Sequence, residues 1–148
     1  MNQDREREFP RLDRSEYRDT SVETNEYNCI AWAGNDDTEK WDPDATTGRY
    51  WPDERIVPRG LDVENFVKLY HYEGGYVPCD NSDLEEGFEK IALFVGLDKE
   101  VTHAARQLPS GKWTSKLGDW EDIEHDALDA LVGDWYGTVA RILKRPIQ

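Results

Sequence analysis

Apolar positions fall into a few short, separated groups along the chain. Residues 1–26 alternate acid and base, with little apolar content beyond Phe9, Leu12, Tyr17 and Val22, and read as a polar arm preceding a domain over 27–148. Residues 28–35 predict a short helix, with Asn28 as its N-cap, Cys29 in its first turn and Gly34 near its stop. A stretch dense in Pro, Gly, Asp and Thr follows from Trp41 to Pro58, and its Trp41, Tyr50 and Trp51 mark it as a long loop pinned by aromatics. Val63, Phe66, Val67 and Tyr70 recur at helical spacing, giving an apolar stripe that Gly74 and Gly75 end.

Beyond residue 88 the period changes. The run EKIALFVG suits a strand buried on both faces. VTHAARQL and KWTSKLG, joined by Pro109, Ser110 and Gly111, predict a β-hairpin. A two-residue turn there pairs His103 with Lys116, whereas a three-residue turn brings Ser115 onto the face of His103. Apolar positions 123, 127, 128, 131 and 132 predict a second amphipathic helix stopped by Gly133, and YGTVARILKR a last strand. Without βαβ alternation or internal repeats, this order predicts a single α+β domain, helices packed on a small antiparallel sheet.

Composition narrows the function classes. The 148 residues suffice for one core, and 37% hydrophobic content with six tryptophans argues for a folded chain. A net charge of −14 repels phosphate backbones and anionic lipid, so neither nucleic acid nor membrane is expected as a partner, and a cationic protein is the compatible one. No apolar run approaches the roughly 20 residues of a membrane span, and the first residues lack a signal-peptide core, so a cytoplasmic location is expected. Cys29 and Cys79 are too few for a disulfide scaffold and are expected as thiols.

Cys29 at a helix start admits three roles: inert core residue, metal ligand or nucleophile. A thiol attacks carbonyl carbon as the thiolate, which a helix N-terminus and a neighbouring histidine favour. Of the three histidines, His71 follows a helix stripe and His125 lies in an acidic segment, whereas His103 stands among small apolar residues on a strand. A zinc site from Cys29, Cys79, His71 and His103 lacks the close ligand pairs that zinc prefers; no metal or cofactor is expected. The backbone N–H of Cys29, aided by Asn28 or Asn25, is a candidate oxyanion hole, although Asn before a short helix also serves simply as a cap. Trp41, Trp51, Trp113 and Trp120 are candidates to line a cleft for a peptide-like substrate, with core packing as the alternative.

A cysteine at a helix start followed by a histidine opening an internal hairpin resembles the papain-like cysteine hydrolases, especially the compact NlpC-type cell-wall amidases. That resemblance implies a helix packed on a small antiparallel sheet, Cys29 as nucleophile, His103 as base and a third residue orienting the ring. In those enzymes the third residue is His, Asn or Gln about a dozen positions after the histidine; here that distance falls on Ser115. Lys116, His125 and the carboxylates Asp119, Asp122 and Glu124 are alternatives. More narrowly, YNCIAWA, GFEKIALF, THAARQLPSGKWTSKLG, DIEHDALDAL and LKRP resemble an uncharacterised bacterial domain family over about residues 27 to 146. The broader likeness implies hydrolysis of an amide, isopeptide or thioester; the alternative is a catalytically idle acidic module that binds a basic partner.

Overall fold

The computed structural model describes Phe9, residues 17–117 and residues 121–147. Seven strands form one sheet: β1 (Tyr17–Asp19), β2 (Val77–Cys79), β3 (Phe88–Val95), β4 (Val101–Gln107), β5 (Trp113–Lys116), β6 (Asp122–His125) and β7 (Thr138–Pro146). Their spatial order is β1-β6-β5-β4-β3-β7-β2, and every neighbouring pair is antiparallel. Among the described residues two α-helices accompany them, α1 (Cys29–Ala33) and α2 (Val63–Gly74), together with short 3-10 turns at Ala45–Thr47 and Leu128–Leu131.

Strand alternation sends successive side chains to opposite faces, so β3 and β4 supply two separate cores. On one face Ile91, Leu93, Ala104 and Leu143 pack against Ala31 and Ala33 of α1, Phe66, Leu69 and Tyr70 of α2, and Trp41 and Trp51 of the long loop. On the other, Ala92, Phe94, Ala105, Trp113 and Ile123 pack beneath Phe9, Ala130 and Leu131. This explains why EKIALFVG carries no alternation: both of its faces are covered.

The stripe at Val63 to Tyr70 does form a helix. Glu64 stands in its first turn, and Gly75 closes it in the left-handed region at φ 76°. The β4–β5 hairpin closes with Leu108 N–H on Lys112 O at 2.7 Å, leaving Pro109, Ser110 and Gly111 as a three-residue turn. Gln107 therefore faces Trp113 and Arg106 faces Thr114, and Ser115 lies on the face of His103.

Two expectations are corrected. The helix over 123–132 is absent: Asp122–His125 is strand β6, paired Ser115 to Ile123 and Trp113 to His125, and only the 3-10 turn Leu128–Leu131 follows. Ile123 and His125 need one buried face of a sheet, a period-two demand that outweighs the coincidental helical spacing of the later apolar residues. The papain-like α+β architecture falls with it. This is a small β-rich domain built on a seven-stranded antiparallel sheet, with α2 as the one helix longer than five residues among the described residues. Part of the expected arm, β1, pairs with β6 as an edge strand.

Candidate functional site

His103, Ser115 and His125 come from three adjacent strands and meet on one face. Ser115 Oγ lies 3.0 Å from His103 Nε2 and 2.8 Å from His125 Nε2, and His125 Nδ1 lies 2.9 Å from the carbonyl of Ala127. Only one proton arrangement satisfies this chain. The Ala127 carbonyl requires an N–H at His125 Nδ1, which leaves His125 Nε2 to accept from the Ser115 hydroxyl, and that hydroxyl oxygen to accept from His103 Nε2–H. His103 Nδ1 is then a bare acceptor, and it is buried with no partner.

The relay is sealed. His103, Ser115 and His125 are fully buried, and Tyr136 stacks on His103 at 4.0 Å between ring centres, with Phe94 at the edge of the imidazole. Burial holds His103 well below the usual imidazole range, and the nearby His125 adds to this. Burial likewise lowers His125 to about 4, opposed by its bond to Ala127 and by Asp126. Two neutral rings around one hydroxyl make a buried polar core that is satisfied except at His103 Nδ1. Tyr136 carries no periodic signal; its only sequence mark is an aromatic pair enclosed by Gly133 and Gly137.

Cys29 opens the helix α1. The α1 helix packs on the face that carries Ala104, whereas His103, one residue earlier, turns to the face of Phe94 and Tyr136. No hydrogen bond joins the thiol to either ring nitrogen, since Nε2 is taken by Ser115 and Nδ1 has no partner. The residue is half-buried but its sulfur is desolvated, and burial pushes the thiol pKa up; the backbone N–H groups of Ala104, Ile30 and Cys29 itself oppose that rise, as does the charge of Lys116.

The other candidates have structural partners. Asn28 caps α1 through Oδ1, which accepts from Ala31 N–H at 3.1 Å, and its Nδ2 donates to Trp41 O at 2.7 Å, so its amide pins the long loop to the helix start. Asn25 is exposed. Lys116 is fully buried on the α1 face, donates to the Thr24 carbonyl at 2.8 Å and lies 5.4 Å from the Tyr27 ring centre. Its cross-strand neighbour Asp122 accepts from the Tyr27 hydroxyl at 2.5 Å and is raised by burial, with its Oδ1 unpartnered.

Trp41, Trp51 and Trp113 line no cleft around Cys29. All three are buried, the first two in the α1 face core and the third in the opposite one, because large rings close a thin core more effectively than any other side chain. Trp120 and Asp119 lie outside the described residues. The two-Cys, two-His metal set is not assembled: Cys79 is on edge strand β2, separated from β4 by β7 and β3, and His71 Nδ1 is bonded to Tyr76 O at 3.0 Å. No group of three or more metal-ligating side chains converges among the described residues, and no helix there is long and apolar enough to cross a membrane.

No curated protein and no solved structure matches the chain. Nothing links it to NlpC-type hydrolases. Residues 18–144 match the family described as a domain of unknown function, DUF7689, and the chain belongs to that family.

Proposed function

We propose that this domain is a non-enzymatic acidic module that binds a cationic protein or peptide. The observation that carries this reading is the state of its surface charge. The exposed arginines Arg18, Arg49, Arg55 and Arg141 are already matched to Glu124, Asp42, Asp53 and Glu64, while carboxylates remain in excess. Residues 35–62 hold eight acidic side chains against four basic ones, and residues 80–89 hold five against none. Exposed pairs of this kind contribute only about 0–1 kcal/mol each, so a partner's cations can replace them at little cost.

Binding of a fluorescein-labelled lysine-rich peptide, followed by anisotropy, tests this. Affinity should fall steeply from about 10 mM to about 150 mM NaCl, as the Debye length shrinks from roughly 30 to 8 Å. Absence of binding at low salt, or binding indifferent to salt, contradicts the proposal.

One observation favours a second reading, hydrolysis of an amide, isopeptide or thioester through Cys29. Backbone N–H groups of α1 and of Ala104 oppose the rise that burial imposes on its thiol, the direction that favours a thiolate. Labelling by a thiol-reactive amide mimic at neutral pH, lost in Cys29→Ala, supports that reading. Unlabelled wild-type protein contradicts it.

A further inference from the structure

Two tight turns meet at one end of the sheet, and each presents a large apolar side chain to water. The β3–β4 turn is fixed by Gly96 N–H on Glu100 O at 3.1 Å and Lys99 N–H on Gly96 O at 3.0 Å, with Lys99 left-handed at φ 69°; at its tip Leu97 is fully exposed. The turn before β7 is closed by reciprocal bonds between Gly133 and Gly137 at 3.1 and 2.8 Å. It sends Tyr136 inward onto His103 and Trp135 outward, 58% exposed. Between the turns lies an open cleft of about 330 Å³, lined by Val95, Leu97, Val132 and Thr138 and by the charged Lys99 and Asp134, with Trp135 next to Asp134 on the turn beside it.

Exposed tryptophan held on a short, hydrogen-bonded turn loses little conformational entropy on binding, and Trp is prominent among side chains that dominate interface energies. The surroundings choose the occupant. Segments 96–100 and 126–138 carry Asp98, Glu100, Asp126, Asp129 and Asp134 against the single cation Lys99. A second copy of this chain, itself at −14, would meet like charge, whereas a basic segment with an apolar side chain would complement both rim and floor. The other apolar groove, about 260 Å³ beside Ile56, Tyr72 and Val77, is bordered by Lys68 and His71 and lacks that complementarity.

We infer that the cleft at Leu97, with the exposed Trp135 beside it, is the docking site of the cationic partner and takes a basic peptide segment through one apolar anchor. This rests on the acidic-module reading and names its site. The probes are two labelled lysine-rich peptides, one with a central tryptophan and one with alanine in its place, titrated into the full chain. The tryptophan peptide should bind more tightly. Trp135→Ala and Leu97→Ser should each weaken it about tenfold or more, the effect of losing an anchor at the centre of an interface. Tyr72→Ala, at the other groove, should leave binding unchanged. If both peptides bind with strong salt dependence but neither cleft variant matters, the docking site is overturned while the acidic-module reading stands. If neither peptide binds at low salt, the module reading fails and the site with it. Dimerisation of the wild type that Trp135→Ala abolishes would assign the cleft to a second copy and also overturn the inference.

Discussion

Ser115 occupies an exacting position, because one hydroxyl must accept from His103 and donate to His125 inside a sealed core. Ser115→Ala leaves a ring N–H and a ring nitrogen buried without partners, which should cost about 1–3 kcal/mol per group; urea denaturation at pH 7 measures it. The same rings set a pH dependence. Both are held neutral, with folded pKa values below the ordinary histidine value of about 6.5. Between that value and about 4 the unfolded chain binds more protons than the native one, so stability present above pH 6.5 is lost as pH falls toward 4. For His125 alone the loss is on the order of 3 kcal/mol. Asp122, raised by burial, slopes the opposite way, but one carboxyl faces two imidazoles. Urea midpoints across this range should fall with acidity and fall less steeply in His125→Gln. An unchanged slope in that variant would remove the relay as its cause. Of this site, the sequence left two alternatives, His103 paired with Lys116 or sharing a face with Ser115, and the three-residue turn decides for Ser115, because turn length sets strand parity. The entry of His125 was not legible, since its strand was disguised by helical spacing.

The elements are held by a few close approaches where only glycine fits. Gly137 has φ 77°, and a Cβ there would lie 1.9 Å from the Val95 carbonyl oxygen, whereas a Cβ on Gly133 meets nothing within 4 Å. Gly137→Ala should therefore lower stability by roughly 1–3 kcal/mol or more, through backbone strain and overpacking, and Gly133→Ala by little. Thermal unfolding of the two variants side by side checks this, and equal midpoints would refute it. The α2 stripe, strand β3 and the β4–β5 hairpin could be read from the chain because each expresses its own period over one continuous segment. The role of Asn28 was likewise local: the side chain caps the next turn. What could not be read depends on distant pairing. β1 exists only against β6, β7 leaves the meander to pair with β3 and β2, and the tryptophans of the long loop reveal their burial only once α2 lies beneath them.

For the whole molecule the governing fact is that the sheet has two covered faces and that neither ring nitrogen of His103 is hydrogen-bonded to the Cys29 thiol. The α1 face holds Lys116 and Asp122 around Tyr27; the other holds the two imidazoles. An order of cysteine then histidine along the chain could not reveal which partners the imidazole takes, because a shift of one residue along β4 exchanges the faces. With the thiol desolvated and the imidazoles enclosed, the proposed function rests on the surface, whose excess of carboxylates suits a cationic partner. The measurement that tests this most directly is the rate of Cys29 alkylation by iodoacetamide against pH, in a Cys79→Ser background with and without His103→Gln. Slow alkylation at neutral pH is expected, with an apparent thiol pKa above the ordinary value of about 8.5 and no effect of the histidine beyond its loss of stability. Rapid alkylation with an apparent pKa below neutrality, abolished by His103→Gln in a protein that remains folded, would contradict it.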